Sequence, residues 1–190
     1  RMLRMVESGI SAASILVLLP QRTLARPYHQ AIRRIDFPAG GFPSVLTIGG
    51  LAQRIVRLFW PAIAQNAGFK RPHDPPVFLT LETAQYYMSR IVQPLLEKGY
   101  FEQLVIDRNR LLTQILDNLN KSAVVGFSHT EIGERLKSAW IGKPAQLTVY
   151  DQAQECAALF RSFCLENNLL DFSLQLEVFA NQLWSSHLVR

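Results

Sequence analysis

The chain is poor in the residues that build metal and redox sites. It has two cysteines, Cys156 and Cys164, and four histidines scattered singly at His29, His73, His129 and His187. No zinc spacing can be assembled from them, and no Cys/His pair stands out as catalytic. The two cysteines lie eight apart in a stretch of helical spacing, about 12 Å between Cα atoms, too far for a disulfide, so they are expected to be core thiols. No paired carboxylates and no Ser/His/Asp set appear, which weakens any case for a small-molecule enzyme. A glycine-rich phosphate cradle and a magnesium-binding Asp-Glu pair are also missing. Long apolar runs are absent too: the longest, Ile10 to Pro20, is about half a bilayer span. The opening Arg1-Met2-Leu3-Arg4-Met5-Val6-Glu7 lacks a signal peptide's apolar region, so a cytoplasmic location is expected.

Acidic residues are scarce in one part of the chain. Residues 1–71 carry ten Lys/Arg (Arg1, Arg4, Arg22, Arg26, Arg33, Arg34, Arg54, Arg57, Lys70, Arg71) against Glu7 and Asp36, whereas residues 72–190 carry ten bases and thirteen acids. The overall charge of +5 is therefore +8 on the first part and −3 on the second. A basic segment with arginine just after strand ends suggests a phosphate backbone as partner, since phosphate neutralisation releases condensed counterions. A solvated basic face is the plainer alternative.

With 190 residues, 48% of them hydrophobic, the chain can bury a real core in one or two domains. Met2 to about Ser8 reads as a helix stopped at Gly9. Ile15–Leu19 reads as a central parallel strand buried on both faces and ended by Pro20. A helix from about Thr23 to Ile35 follows, its start displaced by Pro27, which fits only in a first turn. Asp36–Pro43 is dense in breakers and forms a loop before a second strand, Val45–Ile48. Leu51, Ile55, Leu58 and Phe59 then give helical spacing until Pro61. After a loop over 70–76 the chain becomes all helical: Leu81–Leu96, Asp107–Leu119, Thr130–Trp140, Thr148–Glu166 and Asp171–Trp184, separated by Gly99, Gly126 and Gly142-Lys143-Pro144. No strand longer than three residues is expected between Thr80 and Asn168. Ser128-His129-Thr130-Glu131 has capping-box form, which places His129 on the surface. The expected class is α/β but mostly α: a partial parallel layer over 1–61, a helical subdomain over 62–168 and a returning helix over 169–190.

Two strand-turn-helix units, Ile15–Ala25 and Val45–Ile55, would present their turns along the carboxyl edge of an open parallel sheet, where ligands lie. Arg22, Thr47 and Arg54 are the candidate phosphate contacts of these units. Thr47 reads equally well as a helix cap, and Arg54 with Arg57 as a solvated stripe. Asp171 and Phe172 are expected to cap and anchor a helix, and Trp60, Trp140 and Trp184 to lie in the core.

This order of parts resembles the UvrD/Rep/PcrA-like helicases of superfamily 1. Pro20-Gln21-Arg22-Thr23 sits where that family has motif Ia, and Thr47-Ile48-Gly49-Gly50, followed by Leu51-Ala52-Gln53-Arg54-Ile55, sits at motif Ib; both contact single-stranded DNA there, so the resemblance implies Gln21, Arg22, Thr47, Ile48, Gly49 and Arg54 as nucleic-acid contacts. Arg1–Met5 is similar to the helix that follows a P-loop, and Leu169-Leu170-Asp171-Phe172 to the stretch before the Walker B strand. Two positions depart: Pro20 stands where many relatives place an aromatic residue, and Gly49 where many place a histidine. The form Leu18-Leu19-Pro20-Gln21-Arg22-Thr23-Leu24-Ala25 is closer to the AddB/RecB-like branch. The resemblance implies an internal fragment, between Walker A and Walker B, of an ATP-dependent DNA helicase of repair or recombination, with a 1A-like motor segment and a 1B-like helical insertion. ATP and Mg would serve the parent protein, with no catalytic, cofactor-binding or metal residue in this fragment. Single-stranded and junction DNA would be partners, with a nuclease or second helicase subunit as a further one. The alternative it implies is a non-catalytic helicase-like scaffold of a nuclease-helicase complex.

Overall fold

A computed structural model describes residues 1–34, 36–142 and 147–184. The chain divides into two compact units, residues 1–54 and 55–190. The sequence boundary was expected at 61/62; the compact units meet inside a helix instead.

The first unit is a small α/β assembly. Helix α1 (Met2–Glu7) ends at Ser8, and Gly9 follows at φ +92°, a left-handed conformation that glycine adopts without strain. A 3-10 turn, Ala12–Ser14, leads into strand β1 (Leu16–Leu19), which Pro20 ends. A second 3-10 turn, Arg22–Ala25, runs into helix α2 (Arg26–Ile32), with Pro27 in the first turn where its missing N–H costs nothing. Strand β2 (Ser44–Thr47) pairs parallel with β1 and passes directly into helix α3 (Ile48–Ile63). The core gathers Met2, Val6, Ala12 and Ile15, with Val17, Tyr28, Ala31 and Ile32 packed against it. Residues 28, 31 and 32 thus supply the inner stripe of α2.

That packing covers one face of β1 only. Leu16 and Leu18 are 46% and 50% exposed, so the expected burial on both faces is not met within this unit. A run of apolar residues records the strand's preference for burial, not which element supplies the cover. Ile48, expected at the end of the second strand, opens α3 instead. That helix also runs through Pro61 because Trp60 and Ile63 on the same turn are buried, and the Trp60 indole N–H donates to the Asp74 carbonyl at 2.8 Å. Packing there offsets the roughly 3 kcal/mol that an interior proline costs.

The second unit is helical. After the rest of α3 come the short strand β3 (Val77–Phe78), α4 (Leu81–Leu96), α5 (Arg108–Val125), α6 (Ile132–Ser138), α7 (Thr148–Glu166), β4 (Leu169–Leu170) and α8 (Phe172–Val178), which widens into a π-helical turn over Phe179–Trp184. Among the described residues from 80 to 168 every regular element is a helix. The chain is therefore mostly helical with two small parallel strand pairs, β1–β2 and β3–β4. β4 pairs with β3, Val77 beside Leu169, and α8 packs on α5, so residues 169–184 belong with the helical unit.

Its most constrained point is a buried polar cluster between α7 and α8. Asp171 caps α8: Oδ1 accepts from the Leu174 N–H at 3.1 Å and Oδ2 from the Ser173 N–H at 3.2 Å. The buried Arg161 guanidinium lies 3.3 Å from Asp171 Oδ1, 3.0 Å from Ser173 Oγ and 3.2 Å from Glu177 Oε2. His129 Nδ1 is 3.6 Å from the same Glu177 oxygen.

Several side-chain expectations therefore change. His129 is not a surface residue: its ring is mostly covered and faces Glu177. Ser128 accepts from the Thr130 N–H, while Glu131 turns to Arg135 at 2.9 Å, so the reciprocal box does not close. Trp60 is in the core, but Trp140 is exposed and stands edge-on to Tyr150. Phe172 is also exposed, leaving the cap to Asp171 alone. The side chain of Trp184, Ile35 and the Lys143-Pro144 break lie outside the described residues. Cys156 and Cys164 are free, buried thiols; burial pushes Cys156 up to about 12 and Cys164 higher still, so both stay protonated and unreactive.

Removing the arginine leaves two carboxylates without their cation, so Arg161→Ala should cost about 3–5 kcal/mol in urea unfolding, and Arg161→Lys should not recover it. Acid tests the same cluster. Burial pushes the Glu177 carboxyl up, but His129 beside it and the Arg161 charge outweigh burial and hold it below the ordinary 4.5. A folded value below the unfolded one means the stabilisation is present above about pH 4.5 and is lost as pH falls through the folded value. Stability should drop in that window, and Glu177→Gln should flatten the drop.

Candidate nucleic-acid interface

Parallel pairing sets the geometry. Leu16 lies beside Ser44 and Leu19 beside Thr47, so both strands end level and both following turns leave the same edge. Gln21 is extended, with φ −142° and ψ 144°, and the 3-10 turn behind it packs against β2. Gln21 and Arg22 are exposed there. Four of the sequence candidates, Gln21, Arg22, Thr47 and Ile48, stand along this edge, with Gly49 buried in the first turn of α3.

Thr47 has a local task. Its Oγ1 accepts from the Gly50 N–H at 3.1 Å, the usual cap on the third residue of a helix. What it has to offer a ligand is its hydroxyl proton. Arg54 does not join the edge: its Nη1 lies 3.5 Å from Ser44 Oγ, at the opposite end of β2 from Thr47.

A larger feature adjoins the edge. Arg22, Thr23, Arg26, His29, Gln30 and Arg33 line an open concavity of about 540 Å³ on the outer side of the 3-10 turn and α2. No carboxylate lines it. Arg34, next along, is instead held by Asp36, with contacts of 2.9 and 2.7 Å, and that hydrogen bond keeps the Asp36 carboxyl below its ordinary range. Among the described residues no ion pair involves Arg22, Arg26 or Arg33.

This arrangement works against the helix. Arg26, a cation in the first turn, opposes the macrodipole. α2 has no acid in its first turn to compensate. Positions 22, 26, 29 and 33 are spaced i, i+4, i+7 and i+11, and the 3-10 turn and α2 bring them along one concavity. That spacing was visible in the sequence, but a reading confined to residues at strand ends passes over Arg26, His29 and Arg33.

Among the described residues no group of three His, Cys, Asp or Glu converges as a metal site, and no helix is long and apolar enough to cross a membrane. Neither a protein-family model nor a curated protein matches the chain.

The cap at Thr47 is separable from any binding role. Thr47→Val should cost about 1 kcal/mol in urea unfolding followed by circular dichroism, while Thr47→Ser should retain most of that.

Proposed function

We propose that the chain is part of a UvrD-like superfamily 1 DNA helicase and that its first unit binds the phosphate backbone of single-stranded DNA. The observation that carries this is the stripe Arg22, Arg26, His29 and Arg33, free of carboxylates and adjoining the edge where β1 and β2 end. Arginine forks match phosphate oxygens, and ligands of open parallel sheets lie outside the carboxyl ends of the strands. The exposed Leu16 and Leu18 support the reading as well: a two-stranded parallel pair with one bare apolar face fits a larger motor-domain sheet. In the intact enzyme, ATP and Mg would be held by other segments, and their hydrolysis would move a second motor domain against this one while the edge grips DNA. The helical unit would lie toward the duplex at the junction. This chain by itself is expected to show no DNA-stimulated ATP hydrolysis, because no residues here form a phosphate cradle.

Fluorescence anisotropy of a labelled oligonucleotide at several salt concentrations tests the binding. Arg22→Ala should weaken binding to all sequences alike and reduce the log-log salt slope by about 0.7, the value for one phosphate on a single strand. Lys121→Glu, on the exposed face of α5, should change little. If Arg22→Ala leaves affinity and slope untouched while Lys121→Glu abolishes binding, the site is on the wrong unit.

A further inference from the structure

The basic concavity is open, and it has a neighbour. Arg33 also lines a second one of about 580 Å³, whose other walls come from Arg34 and the loop Phe37–Phe42. Its chemistry differs from that of the first. Phe42 is 67% exposed, and its ring lies 6.1 Å from that of Phe37, tilted by 31°.

The loop is held in place from several sides. Phe37 packs against the unit's core cluster. Gly41, at φ +91°, seats against the turn before β1, where an added Cβ would come 3.1 Å from the Ala13 Cβ. The Ser44 N–H then donates to the Ile15 carbonyl at 2.9 Å as the chain enters β2. Phe42 thus stands exposed on an anchored loop that shares a concavity with Arg33, which has no ion pair among the described residues, and a ligand with both charge and a flat apolar face fits that pairing.

We propose that Phe42, backed by Phe37, is a base-stacking platform at the end of the arginine stripe, so that one DNA strand lays its phosphates along Arg26 and Arg33 and stacks a base on Phe42. The proposal rests on the backbone-binding role given above and adds to it the reason an unpaired strand is selected. In a duplex the bases stack on one another and their faces are inaccessible. An acidic peptide would satisfy the arginines and leave the ring bare. Stacking of a base on an aromatic side chain is sequence-tolerant, since every base has a π-face.

The test compares an oligothymidylate with an abasic oligonucleotide of equal length, which keeps the phosphates and lacks the bases. Phe42→Ala should weaken oligothymidylate binding by roughly fivefold or more while leaving abasic binding and both salt slopes unchanged, and Phe42→Trp should restore it. Arg26→Ala combined with Arg33→Ala should reduce the slope by about 1.4 on both oligonucleotides. The platform is overturned if Phe42→Ala has no effect on oligothymidylate or weakens both oligonucleotides equally, or if a duplex or polyglutamate competes as well as the single strand. Should Arg22→Ala weaken binding while the Phe42 and Arg26/Arg33 variants do nothing, this inference fails and the strand-edge role survives. If none of these variants matters, both fall.

Discussion

A parallel pair of strands cannot be joined by a tight turn; the chain has to cross over and re-enter at the same end. In the first unit this requirement governs nearly everything of interest. The crossover between β1 and β2 contains the 3-10 turn, α2 and the Phe37–Phe42 loop, and the register of Leu19 beside Thr47 brings both strand exits to one edge. Because α2 turns Tyr28, Ala31 and Ile32 to the core, the opposite stripe, with Arg22, Arg26, His29 and Arg33, is presented outward, starting beside that edge and ending at the loop before β2. One backbone constraint therefore arranges the turns, the cations and the aromatic loop.

Charge is handled differently in the two units. In the helical one, three cations are held by carboxylates: Arg135 by Glu131, Lys137 by Glu134 and Asp151, and Arg161 by Asp171 and Glu177. In the first unit Arg34 finds Asp36, while the stripe on α2 has no such partner among the described residues. Arg26 in the first turn opposes the dipole of a seven-residue helix that has little to spare, and Arg22, Arg26 and Arg33 repel one another along one concavity. A polyanion would relieve that repulsion on binding, which gives the interaction an electrostatic driving force and a marked salt dependence.

Local pattern was legible in the sequence where it was uninterrupted. Leu81–Leu96 and Thr148–Glu166 are bounded as the apolar spacing indicates, and Thr80 caps the first by accepting from the Thr83 N–H. What escaped depends on partners distant in sequence. His129 meets Glu177, far along the chain, and no capping motif encodes that. α3 passes Pro61 because Trp60 finds the Asp74 carbonyl, a tertiary contact that overrides a local breaker. The bare face of Leu16 and Leu18 likewise could not be read from an apolar run. In the candidate site, the strand-end positions were legible from the two strand-turn-helix units. Arg26, His29 and Arg33 were present as a periodic stripe but hidden by attention to the turns, and Phe42 was hidden among breakers that marked only a loop.

The proposed role places single-stranded DNA on the first unit and not on the helical one. Titrating the isotope-labelled chain with an oligothymidylate and following its backbone amide resonances tests this directly. The account predicts that shift changes concentrate at residues 21–33, 37–42 and 47–50 and diminish as salt is raised. Changes confined to residues 55–184, with the arginine stripe unmoved, would contradict it.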